Sequence, residues 1–388
     1  MLQSIIVYTL TGLILYALGR NLALRDARFQ RMYHHPTSFW STEIWLSILV
    51  FAIVAGLRYN VGVDHLVYLQ FYEDMAKQGW ITRETLELGF LFIMKVFTEL
   101  NLHFFFFFAF LAAVQLFFVY YAFRNKKYLL PYIGLFIMLG PFFLNWMNGI
   151  RQCLAMCIFV FLVEFIEKRK LIPYTIGILV AFSLHKSAIM LFPLYFILWK
   201  PFKWGQNRTI TFILLFLAIT IGLTPTWLSL INKLEGFLSF MGYDYYSENI
   251  QRITEEANRS VSWGPSRLGD LFITLFILWY YPKMKQYYAH DKQLPYYFIL
   301  FFFGACSYNL FINTSHIFLR PVMYFTIFKL PLTAYLLVYL KKKHFKLSYS
   351  LLAVIAYTYI YFEIYKASLI PNWFEDFTTY KFFFNYIA

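Results

Sequence analysis

Three arginines stand where a charge is costly. Arg58 follows an apolar run that ends at Leu57, Arg151 lies in "NWMNGIRQCLAMCIFVFLVEF", and Arg320 precedes Pro321 in "NTSHIFLRPVMYF". A cation near the middle of a membrane helix costs roughly 2.5–3.5 kcal/mol on insertion scales, so it persists where it faces a cavity or a partner. The guanidinium is planar, always charged and matches phosphate oxygens two at a time. Three such groups without a matching number of nearby acids call for an anionic ligand, and inside a membrane protein for a lipid-borne one, such as a polyprenyl pyrophosphate. Groups able to move a proton stand close by in sequence terms: Asp64 in "RYNVGVDHLVY", Glu87 in "LELGF" and His185 in "SLHKSA". The chain carries no phosphate-cradling GxxxxGK, no GxSxG, no HExxH and no plausible Asp-x-Asp metal site, so neither a metal nor a cofactor is expected.

The elements that must position these residues follow from composition. Of 388 residues 60% are hydrophobic and only 14% charged, and the mean hydropathy is +0.56. That excludes a soluble domain and predicts one all-α polytopic membrane domain over residues 1–388. Leu2 to Gly19 is too long for a secretory signal and has no basic residue ahead of it. Cys153, Cys157 and Cys306 form neither a metal pattern nor a disulfide framework.

The net charge of +14 is concentrated in short stretches at 20–31, 124–127, 168–170, 200–208, 283–292 and 341–346. Cytoplasmic loops carry such an excess, so all six are placed inside and no nucleic-acid partner is expected. About twelve spans result, at 2–19, 42–57, 103–123, 128–145, 149–166, 171–184, 188–199, 209–224, 268–281, 295–312, 317–340 and 347–363. Parity makes 88–101 a re-entrant or interfacial segment and 171–199 a hairpin. Both termini then lie outside, together with loops 58–87 and 225–267, an aromatic tail and most of the acids. Chemistry is expected on that outer side.

Each candidate has a structural reading beside the chemical one. Arg58 can anchor its helix at the interface with Asp64 as an N-cap, or the two can set a cation and a carboxylate on one cavity rim. Glu87 can simply complement a helix dipole, or point from outside into the membrane domain. Arg151 lies in the first turns of a helix whose other end carries "EKRK", which puts it at the floor of an outer vestibule rather than at mid-membrane. A salt bridge or snorkelling would also hold it, but Asn145, Asn148 and Gln152 beside it make a polar cluster that lipid would not tolerate. His185, Lys186 and Ser187 form the tip of the hairpin, level with Arg151. Arg320 lies about a turn into its own helix. Arg58, Arg151 and Arg320 are expected to converge on one side.

The ordered set "RYNVGVD", "ELGF", "NGIRQ" followed by a span and "EKRK", then "LHKSA", then an arginine before a late "YF", resembles the EpsG family of Wzy-type polysaccharide polymerases over roughly residues 56–330. His65 stands where an aromatic residue is usual, and Pro321 follows the late arginine. The resemblance implies a GT-C-like fold and a polymerase of O-antigen, capsule or exopolysaccharide in the bacterial inner (cytoplasmic) membrane, its active site facing the periplasm or exterior. Its partners would be an undecaprenyl-pyrophosphate-linked glycan donor and acceptor, membrane lipid and a chain-length regulator protein. A hydroxyl of one repeat unit would attack the anomeric carbon of another, with inversion and loss of the pyrophosphate lipid.

The residue-level reading fits these roles. Arg58, Arg151 and Arg320 would bind the pyrophosphate, with Gln152 and Lys186 beside them, and stabilise charge as it departs. The base is expected to be Asp64, with His185 and then Glu87 as alternatives. Tyr59, Tyr68 and Trp146 could stack on sugar rings. A membrane O-acyltransferase using His185 would leave the outer arginines without a purpose. A flippase for lipid-linked oligosaccharides should show two related halves, and a ligase would use the same donor on a different acceptor.

Overall fold

A helix that is apolar on every side cannot present one face to water; it is either lipid-exposed or buried among other helices. The computed structural model describes residues 1–81, 86–203, 206–224, 263–313, 316–369 and 377–386, and their regular structure is helical apart from an isolated antiparallel bridge between Arg58 and Phe382. They form two compact units, one of residues 1–199 and 330–388, the other of residues 200–329.

The first unit contains α1 (Leu2–Tyr33), α2 (Thr42–Leu57), α3 (His65–Gln78), α4 (Leu88–Glu99), α5 (Phe104–Ala122), α6 (Leu130–Leu139), α7 (Phe142–Asn148), α8 (Ile150–Glu167), α9 (Leu171–Leu184) and α10 (Leu194–Ile197). Helices α5 and α8 are its core: Phe107, Phe108, Leu111, Leu116, Cys153, Cys157, Phe159 and Val163 are fully buried. Helix α5 lies between α2 and α8, and α8 between α5 and α9. The phenylalanine run at 104–108 divides accordingly, Phe107 and Phe108 inward and Phe106 outward. The start of α5 is capped by His103, whose ring accepts from the Phe105 N–H (3.2 Å).

The second unit contains α11 (Arg208–Gly222), α12 (Pro265–Tyr287), α13 (Leu294–Phe311) and α14 (His316–Thr326). Asn207 caps α11 by accepting from the Ile210 N–H at 3.2 Å. The last helices, α15 (Lys329–Lys342), α16 (Lys346–Tyr357) and α17 (Tyr359–Ser368), return the chain to the first unit.

Five helices among the described residues are long and apolar enough to cross a membrane: Leu2–Tyr33, Phe104–Ala122, Leu294–Phe311, Phe318–Lys342 and Lys346–Ser368. Shorter apolar helices, Thr42–Leu57, Leu171–Leu184, Lys186–Ile197 and Arg208–Gly222, accompany them, as a membrane-embedded protein requires. The span expected at 128–145 is broken: Lys127–Leu139 and Phe142–Asn148 meet at 62°, because Gly140 leaves the helical region and Pro141 cannot donate across the break. The arm expected at 188–199 is a 3-10 turn, Lys186–Leu191, followed by the single-turn α10. It still folds back on α9, with the Tyr174 hydroxyl donating to Leu191 O at 2.6 Å. At 12 residues, α4 reaches only about 18 Å at 1.5 Å per residue and cannot cross a core about 30 Å thick. The expected outer loop at 225–267 lies, through residue 262, outside the described residues, as do 372–376 and 387–388 of the tail.

Candidate functional site

The site is built where α7 hands over to α8. Only Gly149 separates the two helices, so Asn148 ends one and Arg151 sits in the first turn of the other. Residues 58–64 lie against this joint. Gly62 adopts φ +89°, and a Cβ there would come within 2.5 Å of the Met147 carbonyl oxygen, so the glycine satisfies both a left-handed backbone and a close approach. The Asp64 N–H then donates to Asn148 Oδ1 (3.1 Å), and Asp64 starts α3 without its side chain capping that helix.

From α3, Tyr68 faces α8. Its hydroxyl accepts from Arg151 Nε at 3.1 Å, and the guanidinium lies over the Tyr68 and Phe90 rings, 5.7 and 5.8 Å from their centroids. Burial pushes the Tyr68 phenol above its ordinary range against the pull of the arginine, which keeps it a neutral hydroxyl. Arg151 Nη1 donates to Glu87 Oε2. The other oxygen, Glu87 Oε1, accepts from the Lys186 backbone N–H (3.0 Å). One buried carboxylate therefore ties α8 to the tip of the α9 hairpin. That tip comes close because Gly89 has no Cβ, which would stand 2.4 Å from Ser183 Oγ.

At the tip, His185 Nδ1 accepts from the Ser187 N–H (3.3 Å) and lies 2.9 Å from Ser187 Oγ. A backbone N–H can only donate, so the neutral ring carries its proton on Nε2. Lys186 itself is exposed, and Gln152 is buried on α8. Arg151 makes no hydrogen bond through Nη2 among the described residues, and its side chain stays 21% exposed. The arrangement can present a fixed guanidinium to an anionic ligand, with the half-buried Asp64 and the His185 imidazole on the segments that adjoin it.

Several expectations need correction. Arg151 does have an acid, Glu87, so the inference from arginines lacking acids does not hold for it. Arg320, on α14 of the other unit, is exposed rather than buried. Arg58 is fully buried, and its donors are turned onto its own backbone: Nε to Val61 O (3.3 Å) and Nη1 to Ala55 O, with the guanidinium 4.8 Å from the Phe108 ring. Burial pulls it down to about 10, partly offset by the Tyr380 and Tyr8 hydroxyls, so it remains charged at neutral pH. Tyr59 stacks on Tyr386 at 5.0 Å, Tyr68 is 4% exposed and Trp146 fully buried, so the described conformation offers none of the three as a free sugar platform.

Sequence reasoning did not single out Asn148 and Ser187 for the contacts they make, nor His65, whose Nε2 donates to Arg58 O (3.1 Å). Asn-Gly before the arginine was the available signal for the first.

The motifs "RYNVGVD", "ELGF", "NGIRQ" and "LHKSA" thus touch one another in the fold, and a family model, that of the EpsG family, matches residues 44–386. The chain belongs to the EpsG family. This is the family of Wzy-type polysaccharide polymerases, so the resemblance carried by the motifs is borne out, and membership implies a polysaccharide-polymerase-like, glycosyltransferase-like activity. The match extends beyond the motif-bearing region to Tyr386, through the described end of the C-terminal segment. No curated protein and no solved structure matches the chain.

Proposed function

We propose that this EpsG-family protein joins undecaprenyl-pyrophosphate-linked oligosaccharide repeat units at the outer face of the bacterial inner membrane. The observation that carries the reading is Arg151: braced by Glu87 and Tyr68, partly exposed, with one guanidinium nitrogen uncommitted. A cation fixed in this way suits a diphosphate whose negative charge grows as it leaves, and preorganised donors of this kind give the largest single contribution in many enzymes.

In the proposed reaction an acceptor hydroxyl oxygen forms a bond to the anomeric carbon of the donor sugar, with inversion. The bond from that carbon to the phosphate oxygen breaks, and the electron pair leaves with undecaprenyl pyrophosphate. Arg151 and the exposed Lys186 ammonium meet the diphosphate and stabilise part of the charge that grows on it. The acceptor proton passes to Asp64. His185, with its lone-pair nitrogen turned to Ser187, serves as a hydrogen-bond donor through Nε2. Glu87, with both oxygens engaged, positions Arg151 and the hairpin tip.

The test is purified protein with lipid-linked repeat units. A ladder of products that persists in chelator and disappears in Arg151→Ala supports the reading; an unchanged ladder in that variant ends it. His185→Gln keeps an amide donor near the Nε2 position but no base, so it should retain far more activity than His185→Ala, whereas Asp64→Asn should be as inactive as Arg151→Ala.

A further inference from the structure

We propose that the C-terminal segment 377–386 is a working part of the site, a strap that holds residues 58–64 in place, with Arg58 as the strut beneath it and a positioning residue rather than a ligand for the diphosphate. The proposal rests on the polymerase reading for its chemistry, but its geometry stands by itself.

The segment runs antiparallel to the loop. Lys381 O accepts from the Tyr59 N–H at 2.8 Å, Phe377 O accepts from the Gly62 N–H at 3.1 Å, and Arg58 pairs with Phe382 just beyond the first of these. Two donors of the loop are therefore satisfied by the strap and by nothing in α2 or α3. The strap is itself fastened to the starts and ends of other helices: Tyr8 OH donates to Thr378 O (2.8 Å), the Tyr380 N–H to Ser4 Oγ (3.0 Å), and Tyr380 OH to Val54 O (2.6 Å). Phe383 packs against His103 and Phe104, with ring centroids 5.0 and 5.2 Å apart. Tyr380 is 1% exposed, which marks the segment as core rather than as a loose end.

Arg58 lies under this layer. Its two directed hydrogen bonds reach Ala55 O, in the last turn of α2, and Val61 O, in the loop, so it joins the end of one helix to the segment that leads into Asp64. The side chain of His65 locks onto the Arg58 carbonyl. Three residues beyond His65 stands Tyr68, the partner of Arg151. Disturbing either strap or strut should move the carboxylate and the tyrosine together, while Glu87 still ties Arg151 to the Lys186 N–H. That is a fault in the chemical step rather than in diphosphate binding.

The experiment compares Arg58→Ala, Arg58→Lys and a chain ending at residue 376, singly and combined, in the lipid-linked repeat-unit assay. Arg58→Ala and the truncation should each lower kcat about tenfold or more with donor KM unchanged, and the combined variant should be no worse than the truncation, because coupled groups are not additive. Arg58→Lys should not restore kcat, since an ammonium cannot reproduce two directed bonds. A raised donor KM with kcat intact in Arg58→Ala would show that Arg58 touches the donor and would overturn the proposal. So would a truncated chain within twofold of the full one, or full additivity.

If the truncation does not assemble, Tyr380→Phe removes a single hydroxyl and should lower kcat in the same sense, KM unchanged. Hydrogen exchange separates this proposal from the polymerase reading. The Tyr59 and Gly62 amides should be protected in the full chain and exchange freely when the strap is cut, whether or not polymer is made. Equal exchange in both chains refutes the strap.

Discussion

Lys127 and Arg151 are both cations paired with an acid in the 1–199 and 330–388 unit, at opposite ends of it. At the basic-loop end Lys127 donates to Asp26 Oδ1 (2.9 Å), Thr37 O (2.6 Å) and Thr37 Oγ1 (3.0 Å), and its side chain is 1% exposed. An ammonium has three protons, and all are engaged. Nearby, Glu164 receives Arg124 through both oxygens (2.8 and 2.7 Å) and Lys168 as well. At the other end Arg151 engages Nε and Nη1 and keeps a fifth of its side-chain surface open. The Lys127 cluster closes on itself and fastens helices; the Arg151 cluster fastens helices and still has a donor to offer. A saturated buried pair is a fixture, whereas a braced but unsaturated one is equipped to receive an anion.

The largest effect that could break this contrast is in the two cations themselves. Arg151→Ala should cost about 10²–10³ in turnover per folded molecule, the usual loss for a preorganised donor, and some stability as well, because Glu87 is left buried with the Lys186 N–H but without its cation. Lys127→Ala should lower stability by about 3–5 kcal/mol by leaving Asp26 buried without its partner, while turnover per folded molecule is kept. If both variants lose turnover per folded molecule alike, the two ends are not different in kind.

Glu87→Gln sharpens the contrast. The amide oxygen can still accept from the Lys186 N–H, but the charge facing Arg151 is gone. Losing a hydrogen bond to a charged group, about 1.5–3 kcal/mol, corresponds to roughly 10–100-fold in turnover; a change below threefold would mean that Arg151 orients itself. Tyr68→Phe should be milder, about 2–10-fold for a neutral hydroxyl worth 0.5–1.5 kcal/mol, read from the same initial rates.

The smallest effect is on pH. His65 is buried with the Arg58 guanidinium beside it, and both hold its imidazole well below the ordinary 6.5. As pH falls the unfolded chain takes up this proton first, so stability is complete above about pH 6.5 and declines as pH drops from there towards the folded value. The unfolding midpoint should therefore fall between pH 7.5 and 5.5, and the slope should flatten in His65→Phe. An unchanged slope would show that another group titrates.

Much of the site was readable because its motifs carry their own packing instructions. Gly62 and Gly89 are the residues at which two backbones must meet, and each lies inside a stretch that had already drawn attention for its charged neighbour. Hydropathy located the helices, but not the break at Gly140 and Pro141, since the apolar run continues across it. The direction of Arg58 could not be read. Whether its guanidinium turns to a cavity or to Ala55 and Val61 depends on how the loop leaves α2 and on a segment more than 300 residues later in the chain. Nor could the pairing of Arg151 with Glu87 be read, because it spans 64 positions and depends on where a 12-residue helix comes to rest.

The one-residue joint at Gly149 makes the position of Arg151 a matter of helical register. Each residue advances an α-helix by about 100°, so an insertion or deletion between Arg151 and the buried body of α8 would swing the guanidinium away from Glu87 and Tyr68 rather than merely lengthen a connection. Length variation among related chains should therefore be tolerated in the loops around this helix but excluded from its first two turns, and a grafted site would have to carry residues 140–152 as one uninterrupted cassette.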